Sequence, residues 1–178
     1  MIALKHILVP TDFSEASLAA VKYGVAFART FHATLHLLHV ELRHDLEVAI
    51  ASQHAMDTLV GAAPMPPVSI GDPELVREAA REQLGKMLAG HDVHDITVEY
   101  VLRASGLGGP YVEIVRYAHE VDIDLIILGA HGHGFVKHML MGSVAEKVVR
   151  HAPCPVLTVR HPEHEFVLPD DGASSTKP

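Results

Sequence analysis
The residues best suited to chemistry form a glycine-rich segment in the last third of the chain. Gly129, Gly132 and Gly134 directly follow an apolar run, and Gly142 and Ser143 come shortly after them. Glycine has no Cβ, so the backbone N–H groups of such a loop can approach a polyanion closely. Ser143 begins a predicted helix, and the free N–H groups and positive dipole end of a helix suit a phosphate. The segment is therefore predicted to bind phosphate groups.

Charge is distributed unevenly along the chain. The 178 residues carry a formal net charge of −8 with neutral histidines, yet residues 129–150 hold three basic side chains against one acidic side chain. An acidic protein without a run of Lys or Arg is a poor binder of nucleic acid, so we expect no nucleic-acid partner. A small anion held at the locally basic segment is compatible with both observations.

A second group of polar residues follows the first predicted strand, His6–Val9, which we expect Pro10 to end. Asp12 and Ser14 are both suited to capping the next helix, and Asp12 and Glu15 have the spacing of a capping box. Apolar residues then recur at helical spacing. They are Leu18, Val21, Val25 and Ala28.

These two groups must be positioned by a regular framework of strands and helices. Short apolar or alternating runs predict strands at residues 6–9, 34–40, 96–102, 123–128 and 155–159. Helices are predicted after the first strand and at about 45–59, 72–88, 110–120 and 143–151. In the last helix, Ser143 and Glu146 have capping-box spacing. Strands that alternate with helices form open parallel sheets covered on both faces, with right-handed crossovers.

At the glycine-rich segment the chain resembles the universal stress protein family. The nucleotide-binding pattern of that family is Gly, two residues, Gly, nine residues, Gly, then Ser or Thr, and it falls on Gly129, Gly132, Gly142 and Ser143. The stretch 144–156 also resembles the closing helix and strand of the family. The resemblance covers about residues 2–160, so we predict one domain over 1–160 and a disordered tail over 161–178.

The resemblance implies an α/β fold of the adenine nucleotide alpha-hydrolase-like type, an open doubly wound five-stranded parallel sheet of order 3-2-1-4-5 with helices on both faces. Ligands of such sheets sit where the strand order reverses, here between strands one and four. The implied ligand is ATP, AMP or ADP, with Mg²⁺ carried by the phosphates. The implied binding residues are Pro10, Thr11, Asp12, Val40, Gly129, His131, Gly132, His133, Gly142, Ser143 and Val144.

Within this implied site each group has its own place. Asp12 would lie near the adenine or ribose end, Val40 would contact the base, and the glycine segment with Ser143 would hold the ribose and phosphates. His133 stands where many family members carry Arg, so phosphate binding is expected to be weaker and more sensitive to pH.

Simpler structural roles remain open for the same residues. Asp12 and Ser143 could each only cap a helix, the glycines could only form a turn, and Val40 could only belong to the core. His131 and His133 could be taken for metal ligands, but no Cys or paired carboxylate completes a recognised pattern, so we predict no metal site. The loops 61–71 and 104–109 receive no functional assignment.

Catalysis is not indicated by the sequence. The chain contains no Gly-x-x-x-x-Gly-Lys-Ser/Thr loop, no Gly-x-Ser-x-Gly elbow and no His-Glu-x-x-His pattern. Lys137 is the one fixed cation in the glycine-rich loop, so we expect ATP hydrolysis to be slow if it occurs. A stress-response sensor or regulator that binds ATP is the expected function. The alternative from another class is a dimeric interaction module that binds no nucleotide.

Partners and location follow from the remaining features. A single cysteine, Cys154, fits a reducing compartment, and no apolar run approaches the roughly 20 residues of a membrane span, so we expect a cytoplasmic protein without a membrane partner. Cys154 is expected to be a small buried residue. The last strand, Pro155–Val159, would form an edge of the sheet, and the family resemblance implies a homodimer that pairs this strand with its copy.

Overall fold
The computed structural model describes residues 3–41, 73–106, 108–131 and 141–160. The strands are β1 His6–Thr11, β2 Thr34–Glu41, β3 Val98–Ala104, β4 Leu125–Gly129 and β5 Val156–Val159. The helices are α1 Glu15–Phe31, α2 Pro73–Met87, α3 Pro110–Glu120 and α4 Ser143–His151. The predicted helix at 45–59, the loop 61–71 and the tail 161–178 lie outside the described residues. No helix in the described ranges is both long enough and apolar enough to cross a membrane.

The five strands form one parallel sheet in the order β3-β2-β1-β4-β5, which confirms the predicted fold. β1 pairs with β2 along its whole length, from His6 opposite Thr34 to Thr11 opposite His39. β1 pairs with β4 over two residue pairs of the described sheet, and both of these lie before the middle of β1. The hydrogen-bonded pairing of the two central strands therefore ends before their carboxyl ends, at the position where the strand order reverses.

The two faces of the sheet carry separate parts of the core. Ile7 and Val9 of β1 pack with α1 and α2, whereas Leu8 packs with α3 and α4. These three side chains are completely buried. Full burial of such a side chain stabilises a fold by about 1.5–3 kcal/mol, so the apolar run that predicted β1 also anchors both helical layers.

Three local predictions differ from the structure. β1 does not end at Pro10 but continues to Thr11, because proline has no N–H to donate yet keeps an extended backbone that a strand accepts. β3 covers Val98–Ala104 rather than 96–102, since its pairing with β2 places Leu35 opposite Val98. Leu18 of α1 is 44% exposed, because the buried stripe of that helix instead passes through the small residues Ala16, Ser17, Ala20 and Gly24.

Candidate functional site
The loop after β1 follows Thr11, whose side chain is buried in the core. Thr11 is buried, and its hydroxyl lies 2.9 Å from the Ser17 hydroxyl and 3.2 Å from the Met87 sulfur. The same oxygen accepts a hydrogen bond of 2.9 Å from the Phe13 backbone N–H. The hydroxyl of Thr11 therefore fixes the turn from the inside.

Asp12 is exposed, and its carboxylate shapes the start of α1. Asp12 Oδ1 accepts hydrogen bonds from the backbone N–H of Ser14 at 3.1 Å and from its hydroxyl at 2.5 Å. The N-cap is Ser14, whose hydroxyl accepts a bond of 3.3 Å from the Ser17 N–H. The predicted capping box of Asp12 with Glu15 is wrong, because the extended backbone that an N-cap needs occurs at Ser14.

Phe13 has an unusual backbone between these two residues. Its φ is +64°, in the left-handed region, where a bulky residue costs about 1–3 kcal/mol and persists only when its surroundings fix it. The Phe13 ring lies against the ring of His39 on β2, with centroids 4.4 Å apart and an interplanar angle of 38°. The turn that carries Asp12 is thus held by side chains from β2 as well as from α1.

Gly129 ends β4 directly beneath the start of α1. A Cβ at this position would lie 2.8 Å from the carbonyl carbon of Ala16, 2.9 Å from its oxygen and 3.0 Å from its Cβ. No side chain fits there unless the helix moves. The first glycine of the sequence pattern therefore has a packing role, which brings the beginning of α1 and the end of β4 together.

The N-terminus of α4 is joined to the end of β4 by the main chain. The Gly142 N–H donates to the Ala130 carbonyl oxygen at 2.7 Å, and the Ala130 N–H donates to Val159 at 2.7 Å. Gly142 is the N-cap, and Ser143 is already the first helical residue. The predicted capping box of Ser143 with Glu146 is therefore wrong, and Glu146 instead pairs with Arg150 at 2.8 Å.

The universal stress protein family matches residues 3–160, which is most of the chain. The chain belongs to this family. Universal stress protein MJ0531 of Methanocaldococcus jannaschii is 30% identical over 168 residues, covering 90% of this chain and 85% of its own length. Universal stress protein MJ0577 of the same organism is 33% identical over 165 residues, covering 88% of this chain and 94% of its own length.

Solved structures share the fold of this universal stress protein. The structure of MJ0577 has a TM-score of 0.66 at 26% identity and covers 89% of this chain and 97% of its own. A universal stress protein solved in complex with cAMP has a TM-score of 0.57 at 21% identity and covers 89% of this chain and 98% of its own. The second likeness shows the fold alone.

The remaining predicted site residues of this universal stress protein fall into three groups. Pro10 and Val40 are buried, and Val40 packs with Leu8 and Leu38 in the core on the α3 and α4 face. His131 and Val144 are half-buried, the first just after the end of β4 and the second in the first turn of α4. Gly132 and His133 lie outside the described residues. Among the residues that the structure describes, no cluster of potential metal ligands was found.

Two of the three basic side chains of residues 129–150 contact other groups, and the third, Lys137, lies outside the described residues. Arg150 is paired with Glu146, and the Lys147 ammonium lies 5.0 Å from the centre of the Tyr111 ring. Within the described part of the chain, the groups that suit an anion at the start of α4 are therefore backbone N–H groups and the helix dipole. Arg150 and Lys147 therefore contribute less positive charge to the described site than the charge count of residues 129–150 suggested.

Two features of the carboxyl end were not found from the sequence. His39 contacts the end of β1. Its position within the predicted apolar strand 34–40 gives no sign of this contact. Glu41, the last residue of β2, has one buried carboxylate oxygen without a hydrogen bond in the described part of the protein. The Ser105 N–H donates to the Glu41 carbonyl at 2.8 Å, so the 104–109 loop is fastened to the same edge.

Cys154 has the setting of an unreactive thiol. It is half-buried, and burial, followed by the nearby Asp124 carboxylate, raises the pKa of its thiol above the ordinary value. A thiol with a raised pKa stays protonated near neutral pH, and the thiolate is the nucleophilic form. Cys154 therefore packs against the core but is less buried than predicted.

Proposed function
We propose that this universal stress protein binds ATP or a related adenine nucleotide at the carboxyl ends of β1 and β4 and acts as a stress-response sensor or regulator. The observation that carries the proposal is the early end of hydrogen-bonded pairing between these two strands, which pair at Ile7 with Leu125 and at Leu8 with Ile126. The loops leaving both strands, with Asp12 on one and Ala130 on the other, then border the unpaired carboxyl ends of β1 and β4, here called the gap. Open α/β sheets bind ligands at such a position.

The start of α4 supplies the chemistry for a phosphate. The bond from the Gly142 N–H to the Ala130 oxygen sets this helix end beside the gap, and Gly142 has no side chain that could fill it. Ser143 is exposed, so its hydroxyl and the N–H groups of the first turn can donate to phosphate oxygens. A universal stress protein of the same fold was solved with cAMP, so this fold is compatible with an adenine ring and a phosphate.

The remaining parts of the proposed site follow from the family pattern. Gly132 and His133 would contact the phosphates, Asp12 the ribose or adenine, and Mg²⁺ would arrive with the nucleotide. Val40 would contribute from beneath the base, because its side chain belongs to the core. Hydrolysis, if any, would be slow, since positioned cations are needed to stabilise the transferring phosphate.

We also propose that the protein is a cytoplasmic homodimer. β5 lies at one edge of the described sheet, and none of the described strands pairs with the outer side of its backbone. Pairing of β5 with its copy across a two-fold axis would form hydrogen bonds to the backbone N–H and C=O groups on this side in both subunits.

Thermal unfolding with and without ATP and Mg²⁺ tests nucleotide binding. A ligand at about 100 times its dissociation constant adds roughly 2.7 kcal/mol, which is a rise of roughly 5 to 10 °C for a chain of this size. The rise should vanish in Gly132→Val, whose side chain would obstruct the phosphates. It should persist in Gly85→Val, because a Cβ at Gly85 on α2 meets nothing within 4 Å. No rise in the wild type at millimolar ATP would refute the proposal and favour the interaction module.

A further inference from the structure
His39 connects the end of β2 to the loop that carries Asp12. His39 and Thr11 form the last residue pair along β2 and β1, and His39 Nδ1 lies 2.9 Å from the Thr11 carbonyl oxygen. A carbonyl oxygen can only accept a hydrogen bond, so the proton is on Nδ1, which donates. The contact fixes the backbone of the residue directly before Asp12.

The same side chain supports the residue directly after Asp12. The Phe13 ring lies against the His39 ring at 4.4 Å, and the left-handed backbone of Phe13 is unfavourable unless neighbouring groups hold it. The Phe13 N–H is in turn bound by the Thr11 hydroxyl at 2.9 Å. His39 thus contacts both neighbours of Asp12, one through a hydrogen bond and the other through its ring.

We propose that His39 is a positioning residue for the nucleotide. By donating Nδ1–H to Thr11, it fixes the path of the β1 loop and so the place of Asp12 at the gap between β1 and β4. The inference rests on the proposed function, to which it adds a residue outside the family pattern of glycines and Ser143. Preorganisation of this kind favours binding because the loop need not be ordered when the ligand arrives.

Two substitutions separate the hydrogen bond from the ring contact. In His39→Asn the side-chain amide nitrogen can occupy the place of Nδ1 and donate to Thr11, but the ring is lost. In His39→Phe a flat ring remains beside Phe13, but the donor is lost. His119→Phe, at an exposed position on α3, is the matched control for the substitution itself.

Binding of ATP with Mg²⁺ is measured by calorimetry, and exchange of the Phe13 and Ser14 amide hydrogens is measured without nucleotide. We expect His39→Phe to raise the dissociation constant roughly fivefold, the equivalent of one ordinary hydrogen bond, and to speed exchange at both amides. We expect His39→Asn to stay within about twofold of the wild type in both measurements. The control should match the wild type.

Other results would overturn the inference. Unchanged ATP affinity in His39→Phe, or equal losses in His39→Phe and His39→Asn, would show that the hydrogen bond to Thr11 does not position the loop for the ligand. If the wild type binds no ATP, the proposed function fails. Amide exchange then decides alone: faster exchange confined to His39→Phe supports loop positioning, and equal exchange in all proteins overturns it.

Discussion
Both ends of the sheet have main-chain hydrogen bonds, but they differ in the side chains and glycines that accompany these bonds. At the amino end, Asp124 Oδ2 accepts hydrogen bonds from the backbone N–H of Lys5 at 2.6 Å and of His6 at 2.9 Å. His6 and His36 are 3.1 Å apart through Nδ1 and Nε2, and His36 Nδ1 lies 2.9 Å from the Tyr117 hydroxyl. Side chains thus connect β1, β2, β4 and α3 at this end.

At the carboxyl end, main-chain groups make several of the corresponding connections. The Gly142 N–H binds the Ala130 oxygen, the Ala130 N–H binds Val159, and the Ser105 N–H binds Glu41. Gly129 lets the backbone of α1 approach β4 directly. Because Gly142 has no side chain, nothing at its own position covers the N–H groups of the first turn of α4, which leaves them within reach of a ligand.

The largest expected effect is a loss of stability in Gly129→Val, at the carboxyl end of the sheet. The added carbons would overlap the Ala16 backbone, so α1 must move away from β4, and overpacking of this kind costs about 3 kcal/mol. Urea unfolding of the purified variant measures the loss. Gly85→Val, where a Cβ has open space, should be neutral or slightly stabilising, because valine has a higher helix propensity than glycine. Equal stability of the two variants would show that Gly129 has no packing role.

The sequence predicted the framework well because the framework depends on local pattern. The bounds of α3 and α4 were predicted correctly, and the apolar runs placed all five strands to within about two residues. The strand order came from the family resemblance, since periodicity alone does not state which strands are neighbours. The shift of β3 shows the same limit, because its register is set by β2.

The site was predicted less completely, because its contacts join residues that are distant in sequence and leave no local pattern. Spacing identified the glycine pattern and Asp12, but the packing reason for Gly129 depends on Ala16, more than a hundred residues earlier in the chain. His39 was hidden because a residue in an apolar strand gives no local sign of a contact with the next loop. Both capping boxes had the correct spacing, but α1 is capped by Ser14, the other candidate from the sequence, and α4 by the glycine before Ser143.

The amino end predicts a dependence of stability on pH through His36. Burial, and then the nearby His6, lower the pKa of His36, while Glu99 partly offsets this. Between that lowered pKa and the ordinary value of about 6.5, the unfolded chain binds more protons than the folded one. Stability should therefore fall as the pH drops below about 6.5, by at most about 1.4 kcal/mol per pH unit for this one group.

Urea unfolding between pH 7.5 and 5 tests this expectation. His36→Phe should flatten the dependence even if it lowers stability overall, because it removes the buried titrating ring and leaves the Tyr117 hydroxyl without its partner. His119→Phe removes an exposed histidine and should keep the slope of the wild type. The same slope in His36→Phe as in the wild type would assign the effect to another group.

The smallest expected effect compares the two helix starts that border the gap. Ser14 caps α1 through its hydroxyl, so Ser14→Ala should cost about 1 kcal/mol in urea unfolding. Ser143 lies inside α4, after its cap Gly142, so Ser143→Ala should cost only a few tenths of a kcal/mol.

For ATP affinity we expect the opposite ranking, with a larger loss in Ser143→Ala than in Ser14→Ala. Only Ser143 offers a side chain at the proposed phosphate position, whereas the Ser14 hydroxyl is bound to Asp12 at 2.5 Å. A stability loss in Ser143→Ala as large as in Ser14→Ala would mean that Ser143 caps its helix in solution. Its hydroxyl would then be engaged before any phosphate arrives, and α4 would bind the ligand through backbone groups alone.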